Sequence, residues 1–286
     1  MTHEAPKIAV VNSLEFAEHD PEAPLVVDAL REAGAVADLH AWNAVVHWAD
    51  YDLVVVRSPW DYFDHLEEFL AWVDAVDGST RIVNPAGVIR WNSHKGYLAQ
   101  MGERGVPVLP TLLLERGSSG STEVVADRGW ADVVVKPAVD GGAREALRAD
   151  PCSPAAVAHL ERLVADGDVV VQPYAPQIEA GETSLLFFGG EFSHAVRKVP
   201  AAGDYRVQAH HGGTEHPHEP SEAELETARR AMACAPGRLT YARVDLIDVD
   251  GVPTLMELEV IEPDLFLRLD DRAMGRFTGA VLAELA

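Results

Sequence analysis

Short apolar runs at Lys7–Asn12, Ala37–Trp42 and Tyr51–Val56 alternate with segments of helical periodicity. This alternation narrows the fold more than any other feature of the chain. Tyr51-Asp-Leu-Val-Val-Val56 is apolar throughout its second half, the pattern of a strand buried on both faces. Helices are expected from about Glu22 to Ala33, closed by Gly34, and from Leu66 to Val76, followed by a strand at Arg81–Pro85. A β-α-β-α order of this kind predicts a small parallel sheet with helices packed on it.

Beyond residue 90 the pattern changes. His94–Glu103 reads as a helix ended by Gly105, and Pro154–Ala165 as another. Strands are expected at Val108–Leu114, Asp132–Pro137 and Asp168–Pro173. Glu182–Val199 reads as a hairpin turning at Gly189-Gly190. Ser221 and Glu224 form a capping box for a helix reaching Cys234. A last hairpin joins Tyr241–Val249 to Val252–Val260 around Asp250-Gly251. Gly117–Thr122 and His210–Pro220 are expected to be mobile loops.

With 286 residues, the chain is long for one compact domain, and two or three small units around a cleft fit it. Its net charge of −23 repels nucleic acid. No run of about 18 apolar residues suggests a membrane span, and the polar start Met1–Pro6 lacks the pattern of a signal peptide. Two cysteines support neither a disulfide scaffold nor a zinc cluster, so a cytoplasmic enzyme is expected. A chain this acidic must gather its cations wherever it binds a polyanion. Its four lysines, Lys7, Lys95, Lys136 and Lys198, are therefore informative.

In the last hairpin, Arg243 and Asp245 share one strand face, and Glu257 and Glu259 share one on the other strand. Whether the two faces coincide depends on the turn. A two-residue Asp250-Gly251 turn pairs Val249 with Val252 and would put Asp245 and Glu257 on opposite faces. A three-residue turn pairs Asp248 with Val252 and gathers the carboxylates. The turn sequence allows either, and the three-residue form is expected because it gathers them. Three carboxylates on one face suit a hard cation such as Mg²⁺. Lys136 ends an apolar strand before Asp140-Gly-Gly142, a loop able to wrap phosphates with backbone N–H groups, although no Walker A pattern is present.

These pieces in this order resemble the ATP-grasp superfamily, in particular its glutathione-synthetase-like and cyclo-ligase members. The likeness runs from Arg57 to Pro263. It is carried by Lys95, Lys136 with its glycine loop, Val171–Pro176, Gly181–Ser184, Gly203–Arg206 with His211–Gly213, Asp245, and Glu257 with Glu259. The resemblance implies an α/β fold: an N-terminal parallel α/β domain over residues 1–90, a central ATP-grasp unit over 91–175 and a C-terminal one over 176–286. It implies ATP and two Mg²⁺ ions as cofactors. Lys95 and Lys136 would neutralise the phosphates, Gly141 and Gly142 would cover them, Gln172 and Tyr174 would read the adenine edge, and Glu182 would accept from the ribose. Asp245, Glu257 and Glu259 would hold the metal. Arg206, with Lys136, would act on the transferring phosphoryl group. Arg57, Ser184, Arg206, His211 and Gly213 would face the substrate. Glu259 stands where many relatives have asparagine. Arg57-Ser-Pro-Trp-Asp-Tyr62 and Glu257–Pro263 are similar to a cyclo-ligase.

The chemistry this implies is activation of a small amino-acid-like carboxylate as an acyl phosphate, captured by a nitrogen of the same molecule. Intermolecular amide ligation and a nucleotide-binding module without catalysis are the alternatives. A homodimer is the default assembly. Histidines at 94, 194, 210, 211, 216 and 218 invite a metal reading, but solvated loop positions are the simpler account, with His211 a substrate candidate.

Overall fold

The computed structural model describes residues 4–286; Met1–His3, part of the polar start, lie outside the described residues, as does the side chain of His210. The chain opens with β1 (Lys7–Asn12), α1 (Glu22–Glu32), β2 (Val36–Ala41), β3 (Leu53–Ser58), α2 (Leu66–Asp77) and β4 (Arg81–Val83). These strands form a parallel sheet in the order β2-β1-β3-β4. Ile8, Val10, Leu53 and Val55 pack toward α1, while Ala9, Val11, Val54 and Val56 pack toward Phe69, Val73 and Val76 of α2. Both faces are covered, which is why β3 reads as one apolar run. Asp20 accepts the N–H groups of Glu22 and Ala23 and starts α1, and Gly34, at φ +95°, ends it.

Two helices follow, α3 (Ala86–Asn92) and α4 (Tyr97–Glu103). The helix expected from His94 begins three residues later, and α3 was not expected. The next sheet contains β5 (Leu112–Leu114), β6 (Val133–Pro137), β7 (Leu147–Ala149) and β8 (Val169–Pro173), ordered β5-β8-β6-β7, with α5 (Ser121–Ala126) and α6 (Pro154–Asp166) against it. Gly117–Thr122, expected as a loop, runs into α5.

The C-terminal sheet has the order β11-β10-β9-β12-β13. Its strands are β9 (Glu182–Phe188), β10 (Glu191–Val199), β11 (Thr214–His218), β12 (Tyr241–Val249) and β13 (Val252–Glu259). The helices α7 (Glu222–Met232) and α8 (Ala273–Ala283) complete the chain. The capping box at Ser221 and Glu224 forms as read. β11 falls inside the segment expected as a mobile loop. It is an edge strand containing Pro217, and such strands carry little apolar alternation to read. One face of this sheet packs on α4 and α7 through Leu185, Phe187, Val244 and Leu258. Val88, Tyr97, Leu98, Met101 and Val106 belong to that core while Ile89 packs into the N-terminal one, so packing is continuous across residue 91. No helix among the described residues is long and apolar enough to cross a membrane.

The last hairpin corrects the expected register. Val249 pairs with Val252, and Asp250 and Gly251 have φ of +53° and +83°. This is a two-residue turn whose twist matches the strands. A bulge then restores what the turn would have lost. Leu246 pairs with Leu255 but Asp245 with Glu257, so Met256 is the extra residue and the two carboxylates stand opposite each other on one face.

Candidate active site

The second face of the C-terminal sheet is divided along its strands. Leu186, Phe188, Val196 and Tyr241 pack with α8 and α1 of the N-terminal unit. At the other end, the same strand parity presents Glu182, Ser184, Lys198, Arg243, Asp245, Glu257 and Glu259. The apolar half fixes the sheet and the polar half forms the floor of a cleft.

The charges on that floor are tightly cross-linked. Lys198 pairs with Glu182 and lies 3.3 Å from Asp245. Ser184 donates its hydroxyl to Asp245. Arg243 donates to Asp245 at 3.0 and 3.1 Å and also pairs with Glu259. Lys95, from the turn between α3 and α4, lies 3.0 Å from Glu257, and its ammonium also donates to the carbonyl of Asp140. The Lys95 N–H donates to Ala138 O at 2.7 Å, which ties this turn to the exit of β6. Lys136 lies near the end of β6, and its ammonium makes no hydrogen bond or ion pair among the described residues. Three of the four lysines therefore converge here.

Burial and charge set the protonation of this cluster. Burial works against Lys95, but Glu257 and Asp140 outweigh it and push its pKa up. Lys136 has weaker compensation, and burial pushes its ammonium down. Burial also opposes ionisation of Asp245, yet Arg243 and Lys198 hold it at about 2. Glu257 is lowered by Lys95 and Lys136 against the same penalty. Glu259 goes the other way. Burial, reinforced by Glu257 and Asp245 and only partly offset by Arg243, raises it to about 8. Glu262, just past β13 and hydrogen-bonded to the Tyr62 hydroxyl, rises to about 7 by burial, with Lys95 opposing and Glu257 adding.

Among the described residues no three acidic or other ligand side chains converge closely enough to hold a metal by themselves. Cations from the protein occupy the gaps. The opposed carboxylates Asp245 and Glu257, with Glu259 beyond, still fit a hard ion that takes one or two carboxylates and completes its shell with phosphate oxygens.

The remaining expected residues are placed as follows. The Gln172 amide donates to Thr111 Oγ1 at 2.9 Å. Tyr174 donates its N–H to Asp132 O, and the Arg148 guanidinium lies 3.4 Å from its ring centroid. Gly142 has φ of +64°, and a Cβ on Gly141 would meet Phe63 at 2.9 Å. Arg206 is held by Asp204, at 2.8 Å from Nη2 and 3.1 Å from Nε. His211 lies in the short helical turn 209–211. A Cβ on Gly213 would sit 2.1 Å from the Val207 carbonyl, so only glycine fits there.

Arg57, expected to clamp a substrate carboxylate, is 2% exposed with both terminal nitrogens engaged. It donates to Pro263 O at 2.8 Å, and its other nitrogen lies 3.2 Å from Glu22 and 3.5 Å from Asp20. Several of the histidines expected in solvated loops are engaged instead, with His216 and His218 in β11, where His218 contacts Glu224 at 3.1 Å. His94 contacts Asp168 at 3.1 Å, and His194 is buried against Leu265 O. For Lys198, Arg243 and Glu262 the sequence implies no site role, and the structure puts all three at the cleft.

Comparisons with known proteins agree with this architecture. Residues 8–84 match the family model of the D-cycloserine synthetase DcsG N-terminal domain. Residues 110–272 match that of the prokaryotic glutathione synthetase ATP-grasp domain. The match to the ATP-grasp domain over more than half of the chain shows the class: the chain belongs to the ATP-grasp family of ADP-forming C–N ligases, which use ATP and Mg²⁺. It is 32% identical to the cycloserine biosynthesis protein DcsG of Streptomyces lavendulae, over 97% of this chain and 98% of that one. The glutathione synthetase of Bordetella pertussis is 27% identical over 93% of this chain and 88% of its own. The crystal structure of D-cycloserine synthetase DcsG superposes with a TM-score of 0.89 at 31% identity, covering 98% of this chain and all of the other. The D-alanine–D-alanine ligase of Bacillus anthracis in complex with ATP, at 15% identity and a TM-score of 0.70 over 98% of this chain and 97% of its own, shares the fold.

Proposed function

We propose that the chain activates the carboxylate of a small amino-acid-like substrate as an acyl phosphate and closes it onto a nitrogen of the same molecule. The observation that carries the phosphoryl chemistry is the convergence of Lys95, Lys136 and Lys198 on the face that displays Asp245 and Glu257. The cyclising form is favoured because the likeness to DcsG extends through the N-terminal unit and is not confined to the ATP-grasp region.

In this reading Lys95, Lys136 and Lys198 face the phosphates under the loop at Gly141 and Gly142. Gln172 and Tyr174 border the adenine, and Glu182 accepts from the ribose with the oxygen Lys198 leaves free. Asp245, Glu257 and Glu259 would hold two Mg²⁺ ions, which neutralise phosphate charge when bound. The substrate carboxylate attacks the γ-phosphorus, the bond to ADP breaks, and an acyl phosphate forms. A nitrogen then attacks the acyl carbon, loses a proton and expels phosphate. Arg243, fixed between Asp245 and Glu259, stabilises the charge that develops, and Arg206 joins it on release from Asp204. Ser184 orients Asp245. Arg57 acts through the Pro263 carbonyl by fixing the strand exit beside Glu262, and the 211–213 turn lies on the substrate side.

The deciding test is a screen for amino-acid-dependent ADP formation, with and without an added amine. Cyclisation predicts turnover with a single substrate. A strict need for added amine would establish intermolecular ligation instead, and ATP binding without ADP formation would establish a non-catalytic module.

Metal binding carries a pH signature. At pH 7 Glu259 and Glu262 hold much of their proton, while a bound cation favours the carboxylate. Mg²⁺ binding is therefore expected to release protons between pH 6 and about 8 and to tighten as pH rises. Calorimetric titrations in buffers of different ionisation enthalpy measure this, and no buffer dependence would contradict it. The same raised values favour the metal-free fold below the ordinary 4.5, and that contribution is lost as pH climbs to about 8.

A further inference from the structure

We propose that Arg144 and Asp64 form a latch that positions the phosphate-covering loop, coupling its closure to the N-terminal unit. This rests on the reading of Gly141 and Gly142 as that cover. The guanidinium of Arg144 grips Asp64 with both terminal nitrogens, at 2.8 and 2.9 Å. Its central carbon lies 4.7 Å from the centroid of the Phe63 ring. Gly141 approaches the same ring so closely that a Cβ would stand 2.9 Å from it. A two-pronged ion pair, a cation–π contact and a shape constraint therefore join four residues of two segments.

Phe63 and Asp64 lie in a short helical turn, Tyr62–Asp64, that follows β3. Their neighbours reach the acidic end of the cleft: the Trp60 indole donates to Glu262 O at 2.9 Å, and the Tyr62 hydroxyl bonds the Glu262 side chain. One segment of the N-terminal unit thus touches the exit of β13 through Trp60 and Tyr62, and the glycine loop through Phe63 and Asp64.

The ends of that loop are fixed elsewhere. Lys95 binds Asp140 O at the entry. At the exit His159 contacts Glu145 O at 3.0 Å, and the Tyr205 hydroxyl donates to Ala146 O at 3.3 Å. Between them Gly142 and Ala143, both at positive φ, reverse the chain, and Arg144 is the clamp on this short arch. The pair is half exposed, at 50% and 46%. It is therefore a weak lock, shifting the closed population on the order of two- to fivefold, which suits a cover that must reopen to release ADP.

Asp64→Asn and Arg144→Gln test the idea, with the charge-swapped double variant D64R/R144D as rescue. In the nucleotide-free protein, amide hydrogen exchange at 141–144 is expected to rise several-fold in each single variant and to fall back in the double. With ATP, each single variant is expected to raise KM for ATP about two- to fivefold while kcat stays within about twofold, because saturating nucleotide recloses the loop. A purely structural pair would lower the melting temperature and kcat together without raising exchange at the loop. Unchanged exchange in the single variants, or a double variant no better than either, overturns the latch. Gly141→Ala probes the same contact from the loop side and is expected to raise exchange there too. Because exchange is read without nucleotide, the latch is tested even if no amino acid supports ADP formation, an outcome that would remove the proposed function alone.

Discussion

Glu257→Gln is expected to lower kcat by about 10²–10³-fold while leaving the fold intact. Glutamine keeps the shape and can still accept from Lys95, so the loss measures charge. Glu257 stands opposite Asp245 and 3.0 Å from Lys95, and it is held ionised by Lys95 and Lys136 together. Without its charge, Lys95 and Lys136 repel each other in the empty cleft, and the proposed metal loses its central carboxylate. Substrate-dependent ADP formation should fall, and the Mg²⁺ concentration for half-maximal rate should rise. A kcat within about tenfold of the parent, with unchanged Mg²⁺ dependence, would take Glu257 out of the machinery.

Lys95 and Lys136 were legible in the sequence because each sits at a break: one opens a helical segment and the other ends an apolar strand before glycines. Lys198 was not legible, and the reason is a single residue. Counted regularly from the Gly189-Gly190 turn, Glu182 would face Arg197. A bulge between Phe192 and His194 slips the register, so Glu182 faces Lys198. The same device acts at Met256, where it brings Asp245 opposite Glu257 in spite of a two-residue turn. Turns announce themselves through glycine and aspartate, whereas bulges in apolar strands leave no mark in composition. The identity of the charged residues could therefore be read, but which of them meet could not. α8 escaped for a related reason. Gly275 and Gly279 weaken its helical signal, and its packing on β9 and β10 supplies what propensity does not. Arg57 was expected to clamp a substrate because it lies near the end of a buried strand, where ligands gather, but the structure buries it among protein partners. Its engagement with Asp20, Glu22 and Pro263 comes from segments far apart in the chain.

Arg243→Met is expected to be the most destabilising change at the cleft and the one most responsive to added metal. Arg243 is 8% exposed, and its guanidinium donates to Asp245 and Glu259 and lies 5.7 Å from the centroid of the Phe266 ring. Methionine retains much of the apolar stem but leaves two carboxylates facing each other with only Lys198 and protonation of Glu259 to relieve them. Removing one partner from a buried ionic cluster typically costs about 3–5 kcal/mol, and denaturant unfolding without metal should show a loss of that order. Mg²⁺ with ADP should then stabilise the variant more than the parent, because the ion would neutralise carboxylates that the guanidinium no longer compensates. Glu259→Gln added to Arg243→Met should recover part of the loss, and the two changes should be strongly non-additive since both act on one charge cluster. Activity should stay low in both variants, because restoring charge balance does not restore a donor beside the reacting acyl group. If Arg243→Met costs less than about 1 kcal/mol, or if Mg²⁺ stabilises it no more than the parent, then Asp245 and Glu259 do not depend on this arginine for compensation, and the metal does not act on the same carboxylates.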